Sequence, residues 1–275
     1  MPINYLKQIQ LGEFNENGYR IIPPDDVASI IEGFYVFSRD SQDNSQLIFN
    51  DGYPVLVFLQ NIEHTVNVTS ECHHFEIKAA WASAGSVKNV YVKYSQNTQQ
   101  VFVVRFHPGA FYRLFNLDAP YFRKNPVAAF DSIAKNNDFN LRDFYKCDSV
   151  KHKISFITKY VHSALKQSSP PSVLHQTLEY IHKIKGNSTV RALSDDAGVN
   201  YKWLERSFVK NIGLLPKEYI QLQRFIHAYL ELVGTESVDL MRVAVSNGYY
   251  DANHFLKDFK SYTGRTPMEY LRSYS

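Results

Sequence analysis

A degenerate internal repeat occupies about the last 90 residues of the chain. The repeated residues stand 51 positions apart: Asn200, Leu204, Arg206, Phe208, Gly213, Pro216 and Tyr219 pair with Asp251, Phe255, Lys257, Phe259, Gly264, Pro267 and Tyr270. Upstream the spacing is 50, and Val190, Leu193, Ser194 and Gly198 pair with Leu240, Val243, Ala244 and Gly248. The extra residue falls where Val199 faces Tyr249 and Tyr250. So many pairs in register predict two copies of one folding unit.

Each copy has the sequence features of a helix-turn-helix. A short apolar helix ends at Gly198 or Gly248, because glycine tolerates the positive φ of a tight turn. Asn200 or Asp251 follows as a cap that accepts hydrogen bonds from the first N–H groups of the next helix. That second helix buries apolar residues four positions apart, which leaves its other face for water or a partner. We predict the two second helices at about 200–211 and 251–262.

The polar faces of these second helices carry side chains suited to reading DNA bases. Arg and Lys bond guanine O6 and N7, Asn pairs with adenine, and base contacts concentrate in the first turn of a recognition helix. The candidate DNA-binding residues are Asn200, Tyr201, Lys202, Glu205 and Arg206 in the first copy and Ala252, Asn253, His254 and Lys257 in the second.

The segment between the two copies, Pro216 to Val233, has apolar residues at helical spacing. It predicts one helix of 18 residues, about 27 Å long at roughly 1.5 Å per residue. A rod of that length holds two recognition helices close to one DNA turn apart, about 34 Å. Both helices can then enter successive major grooves on the same face of a duplex.

Together the two copies resemble the double helix-turn-helix domain of AraC/XylS-type transcription regulators. The most specific stretch lies in the second copy and comprises Ala244, Gly248-Tyr249, Asp251, Phe255, Phe259-Lys260, Gly264, Thr266-Pro267 and Tyr270. The resemblance covers about the last 100 residues and implies that two recognition helices read adjacent major grooves. It places the contacts at Lys202, Glu205, Arg206, Asn253, His254 and Lys257. Ser194 replaces the usual Ala, and Leu256 stands where a small or polar residue is common.

Short strands are predicted for the first half of the chain. Segments rich in Val, Tyr, Phe and Ile are separated by Gly, Asn, Asp and Pro, and they lie at 33–38, 46–49, 55–59, 90–94 and 101–106. Strands that follow one another without long helices between them favour an antiparallel sandwich or barrel.

Helical spacing begins at Pro108 and predicts a longer helix from about Val150 to Lys166. One face of this helix is an apolar stripe formed by Ile154, Ile157, Val161, Ala164 and Leu165. The stripe fits two roles, packing on its own barrel or on a second subunit. Two prolines in the polar run 167–172 then end the helix. We therefore predict domains at 1–168 and 169–275, and the resemblance of residues 103–122 described next implies regulation and dimerisation for the first.

A second resemblance lies in residues 103–122, VVRFHPGAFYRLFNLDAPYF. This segment is similar to the PGA-x-YRLF segment in the N-terminal domain of one subgroup of AraC-type regulators. It implies an α+β chain: an N-terminal antiparallel β-barrel (cupin-like) with helices, and a C-terminal all-α double helix-turn-helix domain. The implied function is sequence-specific transcription regulation in the cytoplasm. The implied partners are double-stranded promoter DNA, RNA polymerase, a small-molecule effector and a second copy in a homodimer.

Composition narrows the function classes. The net charge of +3 excludes a polycationic tail, so a nucleic-acid surface must arise from local arrangement. The two cysteines exclude a disulfide scaffold and a four-cysteine zinc site, and they favour a reducing compartment. No stretch approaches the roughly 18 uncharged apolar residues of a membrane span, so we expect no membrane partner.

The sequence contains little that indicates a metal site or a catalytic site. Cys72, His73, His74 and Glu76 are metal-ligand types, but neighbours on a strand point to opposite faces, so we expect no metal. No local catalytic or nucleotide-binding motif occurs, and we expect no enzyme activity, no catalytic residue and no cofactor. Two other interpretations stay open. One is a small-molecule-binding or modifying β-barrel enzyme with an attached DNA-binding module, and the other is a protein-interaction domain without DNA binding.

Overall fold

A computed structural model of the chain describes residues 1–14, 16, 18–39, 45–71, 73–95, 97–118, 121–134, 139–164, 172–234 and 239–272. The described strands are β1 (Gly18–Ile21), β2 (Ile31–Ser38), β3 (Gln46–Ile48), β4 (Val55–Leu59), β5 (Thr65–Thr69), β6 (His74–Lys78), β7 (Ala80–Ser83), β8 (Val90–Tyr94), β9 (Gln100–Phe106) and β10 (Val127–Ala129). The described helices are α1 (Ile3–Leu11), α2 (Ala110–Leu114), α3 (Tyr121–Lys124), α4 (Phe130–Ile133), α5 (Leu141–Tyr145), α6 (Val150–Ala164), α7 (Ser172–Lys183), α8 (Val190–Asp196), α9 (Tyr201–Ile212), α10 (Pro216–Val233), α11 (Leu240–Ser246), α12 (Ala252–Thr263) and α13 (Pro267–Arg272).

The strands form two antiparallel sheets. The larger has the order β1-β2-β9-β4-β7-β10, and the smaller has the order β3-β8-β5-β6. Among the described residues the pairing stops at β10 in one sheet and at β6 in the other, so these two strands are sheet edges. The predicted α+β class, with a sheet-rich N-terminal part and a helical C-terminal part, is confirmed.

The six-stranded sheet lies between two apolar layers, and its sequence reflects this. On β2, Tyr35 and Phe37 pack in the cluster that contains the smaller sheet, whereas Phe34 and Val36 pack in the cluster of helices α2 to α6. A strand buried on both faces has no polar side to alternate with. This explains the uninterrupted apolar run of β4, in which all residues are buried.

Helix α6 packs on its own domain. Ile157 and Val161 of the apolar stripe are 1% and 0% exposed, in the cluster formed with the six-stranded sheet. His162 Nε2 lies 2.7 Å from Asp26 Oδ2 of the same domain. Of the two roles open to the stripe, the structure therefore assigns these residues to the chain's own core. Leu165, the last stripe residue, lies outside the described residues.

The C-terminal part is helical from α7 to α13, as expected. Helix α10 runs from Pro216 to Val233, the bounds predicted for the connecting rod. The predicted boundary between residues 168 and 169 lies outside the described residues, and the division into two domains stays a prediction.

The two halves share an apolar interface. The ring centroid of Phe49 is 5.3 Å from that of Phe225 on α10 and 5.5 Å from that of Tyr262 on α12. Phe49 is 2% exposed, and burying such a side chain contributes about 1.5–3 kcal/mol. Gln223 Nε2 donates to the Asp51 carbonyl at 2.6 Å, also in a buried position. The sheet domain thus contacts the helical rod directly.

A buried cluster of charged side chains orients the segment that contains Phe49 and Asp51. Arg105 forms ion pairs with Asp51 and, at 3.0 Å, with Glu32, and its guanidinium lies 4.0 Å from the ring centroid of Tyr53. Burial by itself would lower the pKa of Arg105, but Asp51 and Glu32 raise it above its usual value. The arginine therefore stays charged and holds Asp51, whose carbonyl receives Gln223.

Candidate nucleic-acid interface

In the first copy of the repeat, α8, a turn and α9 form a helix-turn-helix. Asn200 Oδ1 accepts a hydrogen bond from the Trp203 backbone N–H at 2.8 Å, which confirms its capping role. Leu204 and Phe208 of α9 are both 0% exposed. Because they lie four residues apart, they turn one face of α9 into the core and the other toward solvent. Gly213 ends the helix with φ 75°.

The second copy repeats this construction with α11 and α12. Asp251 Oδ1 accepts from the His254 backbone N–H at 2.7 Å. Phe255 and Phe259 of α12 are both 0% exposed. Gly264 ends the helix, again with φ 75°. Equivalent residues of the repeat therefore occupy equivalent places in the fold.

Most of the candidate DNA-binding side chains are accessible. Tyr201 is 51% exposed; Asn200, Lys202, Arg206, Asn253 and Lys257 are also exposed, whereas Glu205, Ala252 and His254 are half-buried. Lys202 and Arg206 stand four residues apart on one face of α9, and Asn253 and Lys257 do the same on α12. Each recognition helix therefore presents one pair of polar side chains to solvent.

Two of the predicted residues have contacts within the protein. The Asn200 side-chain oxygen is used as a cap, so its amide group is the part able to donate to DNA. The His254 ring lies edge-on to Tyr249, with centroids 5.2 Å apart. On the connecting helix, Arg224 donates to the Gly186 carbonyl at 3.2 Å.

Helix α10 packs against both copies at once. Near its first turn, the ring of Tyr219 lies 5.7 Å from Phe208 of α9. Toward its other end, Tyr229 lies 6.3 Å from Phe259 of α12, and its hydroxyl is 3.1 Å from that of Tyr270. The connecting helix thus joins the two recognition helices through aromatic contacts instead of a flexible tether.

The sheet domain contacts the C-terminal ends of both recognition helices. A Cβ on Gly213 would overlap the Tyr112 hydroxyl, and a Cβ on Gly264 would overlap the Asn89 side-chain oxygen. Glycine is required at these positions for the positive φ and for the close approach. Both helices are therefore held at the end opposite to their exposed first turns.

One exposed residue beside this surface is absent from the candidates chosen by sequence. Tyr250 precedes the Asp251 cap and is 92% exposed. Its neighbour Tyr249 is 4% exposed and donates from its hydroxyl to Asp258 Oδ2 at 3.2 Å. The Tyr249 N–H donates to the Ala244 carbonyl at 2.9 Å, as the Val199 N–H donates to the Ser194 carbonyl at 3.0 Å. Tyr249 is therefore the structural counterpart of Val199, and Tyr250 is the inserted residue. The change in repeat spacing from 50 to 51 is the sequence signal that could have identified Tyr250.

Within the described residues, which do not include Cys72, no group of three or more His, Cys, Asp or Glu is placed to hold a metal ion. No helix of the described part is long and apolar enough to cross a bilayer.

Two domain families match the sequence. A helix-turn-helix domain matches residues 193–273, which contain both copies of the repeat. A domain of unknown function, DUF6597, matches residues 19–127, from β1 to the start of β10.

Known relatives match part of the chain. The HTH-type transcriptional activator AarP of Providencia stuartii is 34% identical over 94 residues, covering 33% of this chain and 69% of AarP. An uncharacterized HTH-type transcriptional regulator of Staphylococcus aureus strain MSSA476 is 26% identical over 120 residues, or 43% of this chain. The aligned part spans only 16% of that staphylococcal protein.

Among solved structures, ToxT from Vibrio cholerae O395 aligns over 93% of this chain and 95% of its own, with 16% identity and a TM-score of 0.44.

Proposed function

The chain belongs to the AraC/XylS-type transcription regulators, and we propose that it binds promoter DNA by placing α9 and α12 in adjacent major grooves. The observation that carries this proposal is the matched pair of capped helices. The apolar face of each helix is buried in the cluster that also contains α10. Each helix exposes a pair of polar side chains from its first two turns, Lys202 with Arg206 on α9 and Asn253 with Lys257 on α12.

The side-chain chemistry suggests a division of contacts. Arg206 and Lys202 can donate to guanine O6 and N7, and Asn253 can bond adenine through both groups of its amide. Glu205 is half-buried and suits a contact with cytosine N4, an amine donor. Lys257 stands in the repeat register of Arg206, so it offers the second copy an equivalent donor.

Tyr250 adds a contact outside the helix. It stands one residue before the cap of α12, and its almost complete exposure leaves its ring and hydroxyl for a partner. Tyrosine hydroxyls are among the side-chain groups that bond DNA phosphates. We assign Tyr250 to the phosphate backbone beside the groove that α12 enters.

Other partners follow from the family and the fold. AarP is named a transcriptional activator, which supports contact of this chain with RNA polymerase in the cytoplasm. We include a small-molecule effector for the sheet domain and a homodimer whose interface avoids Ile157 and Val161 of α6, because these two side chains are already buried. We propose that the chain acts by binding and does not catalyse a reaction.

The test is selection of bound fragments from a genomic DNA pool. Wild-type protein should enrich sites with two short elements about one helical turn, roughly 10 base pairs, apart. Arg206→Ala/Lys257→Ala should lose this enrichment. Lys151→Ala/Lys159→Ala, which removes two exposed charges from α6, is the matched control and should retain it. No enrichment by wild type, or unchanged enrichment by the first double variant, would contradict the proposal.

A further inference from the structure

A cavity of about 340 Å³ opens where the edges of the two sheets meet. Its walls come from both sides: Val68 and Val90 from the smaller sheet, and Val127 and Ala128 from β10. These four side chains are no more than 5% exposed. Phe75 of the edge strand β6 also lines the cavity and is 38% exposed, a high value for a large apolar residue. The volume lies at the small end of the range for ligand sites, about 300–1,000 Å³.

The half-buried polar side chains that line the cavity, Ser70, Tyr121 and Ser132, are hydroxyls, whereas the polar lining residues His73 and Asn125 are exposed. Tyr121 and Ser132 line the cavity, and their hydroxyl oxygens lie 2.9 Å apart. Among the described residues that line the cavity, none is Lys, Arg, Asp or Glu. A charged group placed beside the Tyr121 and Ser132 hydroxyls would lose hydration without meeting an opposite charge from these residues, which is costly. The lining therefore selects an uncharged, mostly apolar molecule.

The hydrogen bonds of Tyr121 and Ser132 also determine which polar group of a ligand can bind there. Ser132 Oγ donates to the Ala129 carbonyl at 2.7 Å, so its single proton is used. The Tyr121 hydroxyl must therefore donate to Ser132 Oγ. This leaves lone pairs of the Tyr121 oxygen as acceptors, and a ligand hydroxyl or N–H group can donate to them.

We propose that this cavity is an effector site for a small, uncharged, mostly apolar molecule with one hydroxyl or N–H donor. The molecule lies against Val90 and Phe75 and donates to Tyr121.

The same walls contact the DNA-binding helices. Val90 stands between Asn89, whose N–H donates to the Tyr262 carbonyl at 2.9 Å, and Tyr91, whose hydroxyl donates to the Thr263 carbonyl at 2.9 Å. Two residues after Tyr121, Arg123 pairs with Glu218 of α10 at 3.2 Å. A ligand in the cavity thus bears on the contacts that hold α12 and α10. This regulatory step rests on the proposed DNA binding, whereas ligand binding does not.

The first experiment measures binding of 4-phenylphenol to the full chain by calorimetry. This probe is apolar, uncharged at neutral pH and carries one hydroxyl donor. We expect saturable binding with one site. Biphenyl-4-carboxylate, which replaces the hydroxyl by a charge, should bind at least tenfold more weakly. Equal binding of the two probes, or no binding of 4-phenylphenol at millimolar concentration, would overturn the proposal.

Two variants locate the site. Tyr121→Phe removes the acceptor and should weaken 4-phenylphenol about five- to tenfold, the effect of one hydrogen bond, while biphenyl binding stays the same. Ala128→Phe fills the cavity and should abolish binding of both. If Ala128→Phe does not fold, Tyr121→Phe still decides, because unchanged 4-phenylphenol affinity in that variant contradicts the assignment.

The coupling is tested by measuring affinity for a selected DNA site with and without 4-phenylphenol. We expect a change of at least threefold in wild type and none in Tyr121→Phe at the same probe concentration. Probe binding without any effect on DNA affinity would reject the regulatory step alone. Failure of the chain to bind DNA would reject the proposed function and leave the calorimetric result intact.

Discussion

The hydroxyl of Tyr91 on β8 donates a hydrogen bond to the carbonyl of Thr263, the last residue of α12, at 2.9 Å. The carbonyls in the last turn of a helix have no partner within the helix, so the four-stranded sheet supplies one here. In the first turn of α12, the Asn253 side chain is exposed to solvent. One end of this recognition helix is therefore fixed by the sheet domain, and the other end is available to DNA.

The tight contact at the end of α12 predicts the effect of a substitution at Gly264. Gly264→Ala places a Cβ on a left-handed residue and against the Asn89 oxygen. The conformation alone should lower the free energy of unfolding by about 1–2 kcal/mol, and the overlap should lower it further. Gly198→Ala is the matched control, since its φ is 63° but nothing lies within 4 Å of the added carbon.

Urea unfolding of both variants measures this difference. Adding Asn89→Gly to Gly264→Ala should recover the part of the loss that comes from overlap, because glycine removes the side chain and tolerates the φ of 51° at position 89. If Gly264→Ala is no less stable than Gly198→Ala, the close approach of the sheet to α12 is wrong.

Arg206→Ala should weaken binding to the selected DNA site by about 1–3 kcal/mol and relax sequence preference in one half of it. The substitution removes an exposed guanidinium group, which can form bidentate hydrogen bonds, from the solvent-facing side of α9. Titration at fixed salt, with Lys151→Ala as the control for lost charge, provides the measurement. Equal affinities for wild type and Arg206→Ala would remove this residue from the interface.

Tyr250 should contribute to affinity without contributing to stability. Because its side chain is 92% exposed, Tyr250→Ala should change the free energy of unfolding by less than about 0.5 kcal/mol. Binding to DNA should weaken severalfold, and Tyr250→Phe should share most of this loss if the hydroxyl bonds a phosphate. Tyr19→Ala, at an exposed tyrosine of β1, is the control. DNA affinity that does not change in Tyr250→Ala would exclude the contact.

The helical repeat was predictable because its signals are local. The caps Asn200 and Asp251, the terminal glycines and the connecting helix each act within a few residues along the chain. The bounds of α10 agree with the prediction at both ends. Repetition added a second, independent instance of every signal.

The sheets were predicted less completely because strand pairing is not local. Segments 55–59 and 90–94 coincide with β4 and β8, since both are short and rich in β-branched or aromatic residues. In contrast, β6 has four exposed residues of five, HFEIK, and pairs only with β5 among the described strands. A polar edge strand of this kind carries no apolar pattern and was not predicted. Strands β1, β5, β7 and β10 were not predicted either, and each has five residues or fewer.

The contact between the domains has no sequence signal of its own. Tyr112 meets Gly213, and Asn89 meets Gly264, across more than one hundred residues in each case. Each glycine is explained locally as the end of a helix, so nothing in the repeat indicates that a second surface packs there. The same holds for the candidate effector cavity, whose walls Val68 and Val127 belong to different sheets.

The capping of α12 predicts a separate effect on stability. Asp251→Ala removes the acceptor for the His254 N–H, which is 2.7 Å away, and should lower the free energy of unfolding by about 0.5–2 kcal/mol. Asp251→Ser retains an acceptor and should lose less. Asn200→Ala should behave in the same way in the first copy. Chemical unfolding monitored by circular dichroism gives the three values, and an Asp251→Ala variant as stable as Asp251→Ser would argue against the cap.

His182 predicts a pH dependence of stability at the domain interface. Its Nε2 pairs with the Tyr219 hydroxyl at 2.8 Å. Burial lowers the pKa of His182 to about 4; Asp51 acts against this shift, and Arg105 and His227 add to it. An unfolded chain has a histidine pKa near 6.5. Between these values the unfolded state binds the proton more readily, so the free energy of unfolding increases with pH. The contribution of His182 to stability is therefore lost as the pH falls from about 6.5 toward 4.

His182→Gln isolates this contribution, because glutamine can pair with the Tyr219 hydroxyl but does not titrate. Relative to this variant, wild-type protein should lose stability by up to about 1.4 kcal/mol per pH unit below pH 6. Urea unfolding at pH 7, 6 and 5 measures both proteins under the same conditions, which cancels the titration of other groups. Parallel pH profiles for wild type and variant would mean that His182 keeps an ordinary pKa and that the interface around it is open to water.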